Sequence, residues 1–208
     1  MLRPFAIRTH PLCIVSGVDA VHESPTPSRP DLVLRFVNTR ADGAGNTEVF
    51  GTAMGLADWA VEQDLLTTDT VVTDSDAAAA RELRDALVTV FLAHAGDPAV
   101  DDARIADAER YLRQAGTRYP LTTVITTESA QLAAGSTGVP GALGAILAAV
   151  TEVARGGDWT RIKACCNPPC HFGFVDRTRN RAARFCSPGC GSQVSMRAYR
   201  QRQKLSGS

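Results

Sequence analysis

Lys163-Ala164-Cys165-Cys166-Asn167-Pro168-Pro169-Cys170 and Phe185-Cys186-Ser187-Pro188-Gly189-Cys190 carry five of the six cysteines in a chain of 208 residues. Fifteen residues separate Cys170 from Cys186, and within the clusters the spacings are Cys165-x4-Cys170 (or Cys166-x3-Cys170) and Cys186-x3-Cys190. Two short-spaced pairs, each on a turn with Pro or Gly, can aim four thiolates at one tetrahedral centre, which is how a structural zinc ion is held. Two disulfides are the competing reading. A disulfide framework needs an oxidising compartment and usually spreads its cysteines through a small secreted domain. Here they crowd one corner of the chain, so one structural zinc is expected. With sulfur in all four positions no site is left for a catalytic water, and the expectation is a fold organiser, not an enzyme. Binding of about 10–16 kcal/mol in comparable sites can order a module with little core of its own. His171, beside Cys170, reads as a flanking surface residue.

Outward from the cysteines the chain is basic. From Arg161 to the C-terminus it carries a net +9, and residues 1–160 carry −9, so the formal net charge of zero hides two opposed parts. That asymmetry points to a polyanion-binding module on an acidic body. Arg177, Arg179 and Arg181 alternate, which in an extended hairpin puts them on one face, with Phe172, Phe174 and Phe185 over the metal. After Cys190 a helix is expected with Ser192 as its N-cap. Gln193, Arg197, Arg200 and Lys204 then share one stripe, and Val194 and Ala198 lie on another. Such side chains neutralise phosphates and release counterions, and Arg or Gln can pair with base edges. Arg177, Arg179, Arg181, Arg184, Gln193, Arg197, Arg200 and Lys204 are the candidate DNA contacts. RNA or a protein partner is the alternative.

Toward the N-terminus, Gly156-Gly157-Asp158 marks a boundary, with Trp159 and Ile162 placed to pack the module onto the body. Val139-Pro140-Gly141 opens an apolar helix over 142–154 with Leu143, Ile146, Leu147 and Val150 as its buried stripe. Thr-rich residues 117–134 favour a hairpin around Thr127-Glu128. Helices are expected over 99–115, stopped at Gly116, after Asp74-Ser75-Asp76 as caps of a helix carrying Leu83, Leu87 and Phe91, and over 51–65. The apolar run from Leu32 to Val37 fits a helix or a strand. Residues 1–30, with five prolines, are expected to be a poorly ordered extension, and Cys13 within it is expected to be a free thiol. The fold class is mostly α with a small β-hairpin element (α+β): an extension at 1–30, a helical domain at 31–157 and a small four-cysteine zinc module at 158–208. No apolar run approaches the ~18–20 residues of a membrane span and no signal peptide is evident, so no membrane partner is expected and the cytoplasm is the expected compartment. Neither a phosphate-binding loop nor a hydrolase triad spacing is present.

The C-terminal part resembles bacterial CGNR zinc fingers, through Arg161-Ile162-Lys163-Ala164-Cys165, Asn167-Pro168, Cys170, Phe174-x-Asp176-Arg177-Thr178-Arg179-Asn180-Arg181 and Phe185-Cys186-Ser187-Pro188. The body resembles, more loosely, the ABATE domain that precedes such fingers, through Leu34-x-Phe36-x-Asn38-Thr39-Arg40, Trp59, Leu83/Leu87, Ala93-His94-Ala95-Gly96 and Asp158-Trp159. The resemblance implies that Cys165, Cys170, Cys186 and Cys190 bind zinc, with Cys166 a bystander. It implies a stress-linked transcription regulator whose N-terminal domain senses a small-molecule effector or pairs with a partner; a two-fold operator would call for a homodimer. The chain departs from the family at Cys190-Gly191-Ser192-Gln193, where the family has Cys-Gly-Asn-Arg; the ligand survives and one charge at the helix start is lost. A thiol redox sensor, with Cys166 as exchange partner, is a further alternative.

Overall fold

The computed structural model describes residues 29–42 and 46–206; Cys13 and nearly all of the proline-rich extension lie outside the described residues. In chain order the elements are α1 (Arg29–Val37), α2 (Ala53–Glu62), α3 (Asp74–His94), α4 (Asp102–Arg118), β1 (Leu121–Ile125), β2 (Ala130–Ala134), α5 (Gly138–Arg155), β3 (Ile162–Ala164), β4 (Gly173–Val175) and α6 (Pro188–Ser206). Short 3₁₀ turns occupy Val49–Gly51 and Trp159–Arg161. The class is mostly α with two small antiparallel hairpins, β1–β2 and β3–β4.

The ambiguous run from Leu32 is a helix, because its buried positions Val33, Phe36 and Val37 recur at helical and not alternating spacing. Phe36 joins Phe50 and Trp59 in a ring cluster with centroids 5.3–5.7 Å apart. α3 is the central helix, with Leu83, Leu87 and Phe91 fully buried. Its cap is not the Asp74-Ser75-Asp76 run but Thr73: its hydroxyl accepts from Asp76 N (3.2 Å) and the Asp76 carboxylate accepts from Thr73 N (2.9 Å). That is a reciprocal capping box. Asp74 instead accepts from Ala53 N (2.9 Å), joining the starts of α3 and α2.

Two helix ends also differ from expectation. α4 runs through Gly116 to Arg118, because Ala115 and Tyr119 still pack into the core. α2 stops at Glu62, short of residue 65, where Asp64 takes a left-handed backbone (φ 56°) and turns Leu66 back inside. α5 begins at Gly138 and buries Leu143, Ile146 and Leu147. By length and composition alone α5 could cross a membrane, yet these side chains face the protein core. β2 crosses α5 so closely that a Cβ on Gly144 would meet Ala134 Cβ at 3.2 Å.

The sequence pattern does not disclose a buried cation in this body. Arg84 is 2 % exposed. Its guanidinium forms a forked pair with Glu48 (2.6 and 2.9 Å) and lies over the Phe50 ring. Burial raises the Glu48 carboxyl pKa, but the Arg84 bonds and charge outweigh it and hold Glu48 below its ordinary value.

Candidate metal centre and nucleic-acid interface

β3 is wholly buried and carries the first cysteine pair out of the core. It pairs antiparallel with β4 in the register Ile162↔Val175, Lys163↔Phe174, Ala164↔Gly173. Cys165 N then donates to Phe172 O (3.0 Å), extending the ladder by one step, and a turn from Asn167 to Cys170 is closed by Cys170 N→Asn167 O (2.7 Å). The second pair sits at the start of α6. Ser187 is its cap, accepting from Cys190 N at 3.3 Å, with Pro188 at the first helical position. The helix therefore starts before Cys190 and not after it, and Ser192 lies inside it.

The Sγ atoms of Cys165, Cys170, Cys186 and Cys190 all lie within 4.8 Å of one another. Cys170–Cys186 and Cys186–Cys190 are each 3.7 Å apart. A disulfide would need about 2.05 Å; a tetrahedron with zinc–sulfur bonds of about 2.3 Å has edges of roughly 3.8 Å. The donor set fits zinc, and these four residues hold one structural ion whose chemistry is to fasten β3, the knuckle turn and α6 together. Cys166 is set apart: its thiol points to Ala95 O at 3.8 Å, and burial, with the nearby Asp97 charge, pushes it up from its ordinary pKa.

Around the metal, buried polar residues position the basic ones. Lys163 Nζ donates to Asp176 Oδ2 (2.8 Å), Arg181 O (2.5 Å) and Ala183 O (3.1 Å), using all three of its donors. Asp176 also accepts from Thr178 N (2.9 Å), Thr178 Oγ1 (2.6 Å) and Ala183 N (3.0 Å). Burial alone would raise the Asp176 carboxyl; the Lys163 bond and these donors hold it well below the carboxylate range. The loop from 176 to 184 is thus pinned from beneath.

That pinning overturns the alternating hairpin. β4 ends at Val175, and Arg181 adopts a left-handed backbone (φ 54°), so the three arginines share no strand face. Arg177 and Arg179 are exposed, with no hydrogen-bond or ion-pair partner among the described residues. Arg181 reaches Thr160 Oγ1 (3.3 Å), and Arg184 reaches Gly96 O (3.1 Å) on the body. Phe172 is 41 % exposed, whereas the Phe185 ring lies against Gly191, next to Cys190.

The α6 stripe divides. Asn167, 2 % exposed, donates to Gln193 Oε1 (2.9 Å) and accepts from Arg197, which also donates to Pro168 O (3.1 Å). Gln193 and Arg197 therefore dock the helix onto the knuckle, while Arg200 and Lys204 continue past it in an exposed segment. No sequence pattern links Asn167 to positions 26 and 30 residues away.

The module is seated on the body through Trp159, His94 and Asn38. Trp159 stacks edge-on against Phe91 and His94, with centroids 5.6 and 5.1 Å away. His94 Nδ1 lies 2.9 Å from Ile162 O; since a carbonyl only accepts, Nδ1 carries the proton. Burial lowers the His94 pKa, the Ile162 bond opposes this, and the Lys163 charge lowers it further. Asn38 clasps Gly173 from both sides, donating to its carbonyl (3.1 Å) and accepting from its N–H (2.6 Å). Only glycine fits there, since a Cβ would lie 2.5 Å from Val37.

A model of the ABATE family, described as "Putative stress-induced transcription regulator", matches residues 30–157, and one of the CGNR zinc finger matches residues 161–203. The chain belongs to the ABATE family. The ABATE part supplies the acidic body, and the CGNR finger supplies the four sulfur ligands and α6. No curated protein matches this ABATE chain. Beside Trp159, where the ABATE part meets the finger, lies a cleft of about 600 Å³ lined by Val90, His94, Ile105, Leu112 and Arg113.

Proposed function

We propose that this ABATE protein is a non-enzymatic, DNA-binding transcription regulator. The observation that carries the proposal is the presentation of Arg177, Arg179, Arg200 and Arg202 on the metal module, exposed and without partners among the described residues. Lys163 and Asp176 hold the arginine loop, and zinc holds the first turn of α6, so both cationic elements meet a duplex in a preset geometry. A backbone held in place before binding loses less conformational entropy when its side chains engage a partner. The body, at −9, is repelled by phosphate and leaves the +9 module as the contact surface. The cleft beside Trp159 supports an effector-sensing role for the ABATE part, because a ligand there would touch the same His94 and Trp159 that seat the finger.

The test is selection of sheared genomic DNA by the zinc-loaded protein near physiological salt, followed by sequencing. A shared motif supports a sequence-specific regulator. Uniform, salt-labile capture, or preference for RNA in competition, overturns it.

A further inference from the structure

The β1–β2 hairpin has one edge, on β2, that α5 meets at a main-chain group, and one edge, on β1, that is open among the described residues. Thr126 N donates to Ser129 O at one end of the ladder (2.8 Å), and Gly135 N donates to Pro120 O at the other (2.8 Å). With the register Thr122↔Ala133 and Val124↔Gln131 between them, these even-numbered β1 residues form the hydrogen-bonded pairs. The main-chain groups of Leu121, Thr123 and Ile125 on β1, and of Ala130, Leu132 and Ala134 on β2, therefore point away from the hairpin. On the β2 side the outward N–H of Leu132 is met by Glu152 Oε1 from α5 (3.1 Å). On the β1 side the outward groups have no hydrogen bond among the described residues.

We infer that β1 is a homodimer edge, pairing antiparallel with β1 of a second copy about a two-fold axis at Thr123. The outward groups recur symmetrically about Thr123, so an antiparallel copy of the same strand pairs each of them. Thr123 meets its own equivalent, and Leu121 meets Ile125 twice, joining two hairpins into one four-stranded sheet. The side chains agree with that register. Leu121 faces Ile125, apolar against apolar, and Thr122 faces Val124, pairs that favour antiparallel strands. Ile125 is 75 % exposed and Val124 38 % in the single chain. No charged residue lies between Arg118 and Glu128, so the edge lacks the charges with which strand edges normally block such pairing. With five-residue strands the contact belongs to the small, concentration-dependent class of interfaces.

Light scattering of the zinc-loaded protein over a concentration series tests this. The mass should rise from 22.1 kDa toward twice that value. Thr123→Pro removes an outward N–H and leaves the hairpin's own ladder intact, so it should raise the dissociation constant by about tenfold or more, with unchanged melting temperature and zinc content. Thr123→Cys should give a disulfide-linked dimer under mild oxidation, because directly opposed residues in a hydrogen-bonded pair lie about 5.5 Å apart at Cα. A mass of 22.1 kDa at every concentration, or a dimer that Thr123→Pro leaves unchanged, overturns the inference. Neither result bears on DNA binding, which is measured separately.

Discussion

Lys163 Nζ lies 2.8 Å from Asp176 Oδ2 with the two side chains 4 % and 0 % exposed, and every other donor of the lysine is used to hold the arginine loop. Removing one partner leaves a buried charge uncompensated, which costs about 3–5 kcal/mol. Lys163→Met and Asp176→Asn should each destabilise the protein on that scale in urea unfolding. The double variant Lys163→Met/Asp176→Leu should be less damaging than the sum of the two. The pH dependence has a definite sign. Asp176 titrates lower when folded than when unfolded, so its stabilisation is complete above the unfolded value of about 3.9 and is lost as pH falls below it. Asp176→Asn should flatten that acid limb.

Zinc content should separate Cys166 from its neighbours. Cys165→Ser, Cys170→Ser, Cys186→Ser and Cys190→Ser should each lower bound zinc well below one ion per chain by elemental analysis, and lower the melting temperature. Cys166→Ser should keep the metal. A Cys166→Ser protein without zinc would reassign the first ligand.

Arginines of the module should fall into two kinds. Arg177→Ala and Arg179→Ala should weaken DNA binding and each reduce the slope of log affinity against log salt by about 0.9 for every phosphate no longer neutralised. Asn167 is buried beneath α6, and Asn167→Ala frees Gln193 and Arg197 and so loosens the helix. It should weaken binding while leaving the salt slope nearly unchanged. Equal slope reductions in all three variants would mean that the α6 seat itself neutralises a phosphate.

His94 should make the seat of the finger acid-sensitive. Its pKa is lower folded than unfolded, so the folded state resists protonation. Stability from this residue is complete above the unfolded value of about 6.5 and declines as pH falls through that value toward the folded one. Trp159 fluorescence, reporting a ring 5.1 Å from His94, should show the protein unfolding at lower urea concentration as the pH is taken below about 6.5. His94→Gln, which can still donate to Ile162 O, should remove most of the dependence.

The readable parts of this chain are those set by short-range chemistry. The zinc ligands are legible because each cysteine pair lies on one turn, and the four thiols do lie within 4.8 Å of one another. The hairpin around Thr127-Glu128 and the buried stripe of α5 follow from local periodicity. The long-range polar contacts are not legible. Lys163 and Asp176 sit 13 residues apart among other charges, and Arg84 and Glu48 are 36 apart. Nothing local distinguishes these from surface groups. The alternating arginines mislead for a related reason: alternation implies a shared face only while the backbone stays extended, and the Asp176 carboxylate bends it instead. Likewise Ser192 has the chemistry of a cap but not the place of one, because Ser187 already starts the helix within the cysteines.

Asn38 and Gly173 stand 135 positions apart in the chain. The amide side chain at the end of α1 presents the same donor and acceptor as a peptide group, so it serves β4 as a single rung of a third strand. The first described helix and the metal module are thereby joined directly by hydrogen bonds, so loosening one disturbs the other. Chelation should therefore be felt by α1 as well as by the cysteine module, across the 135 positions that separate Asn38 from Gly173.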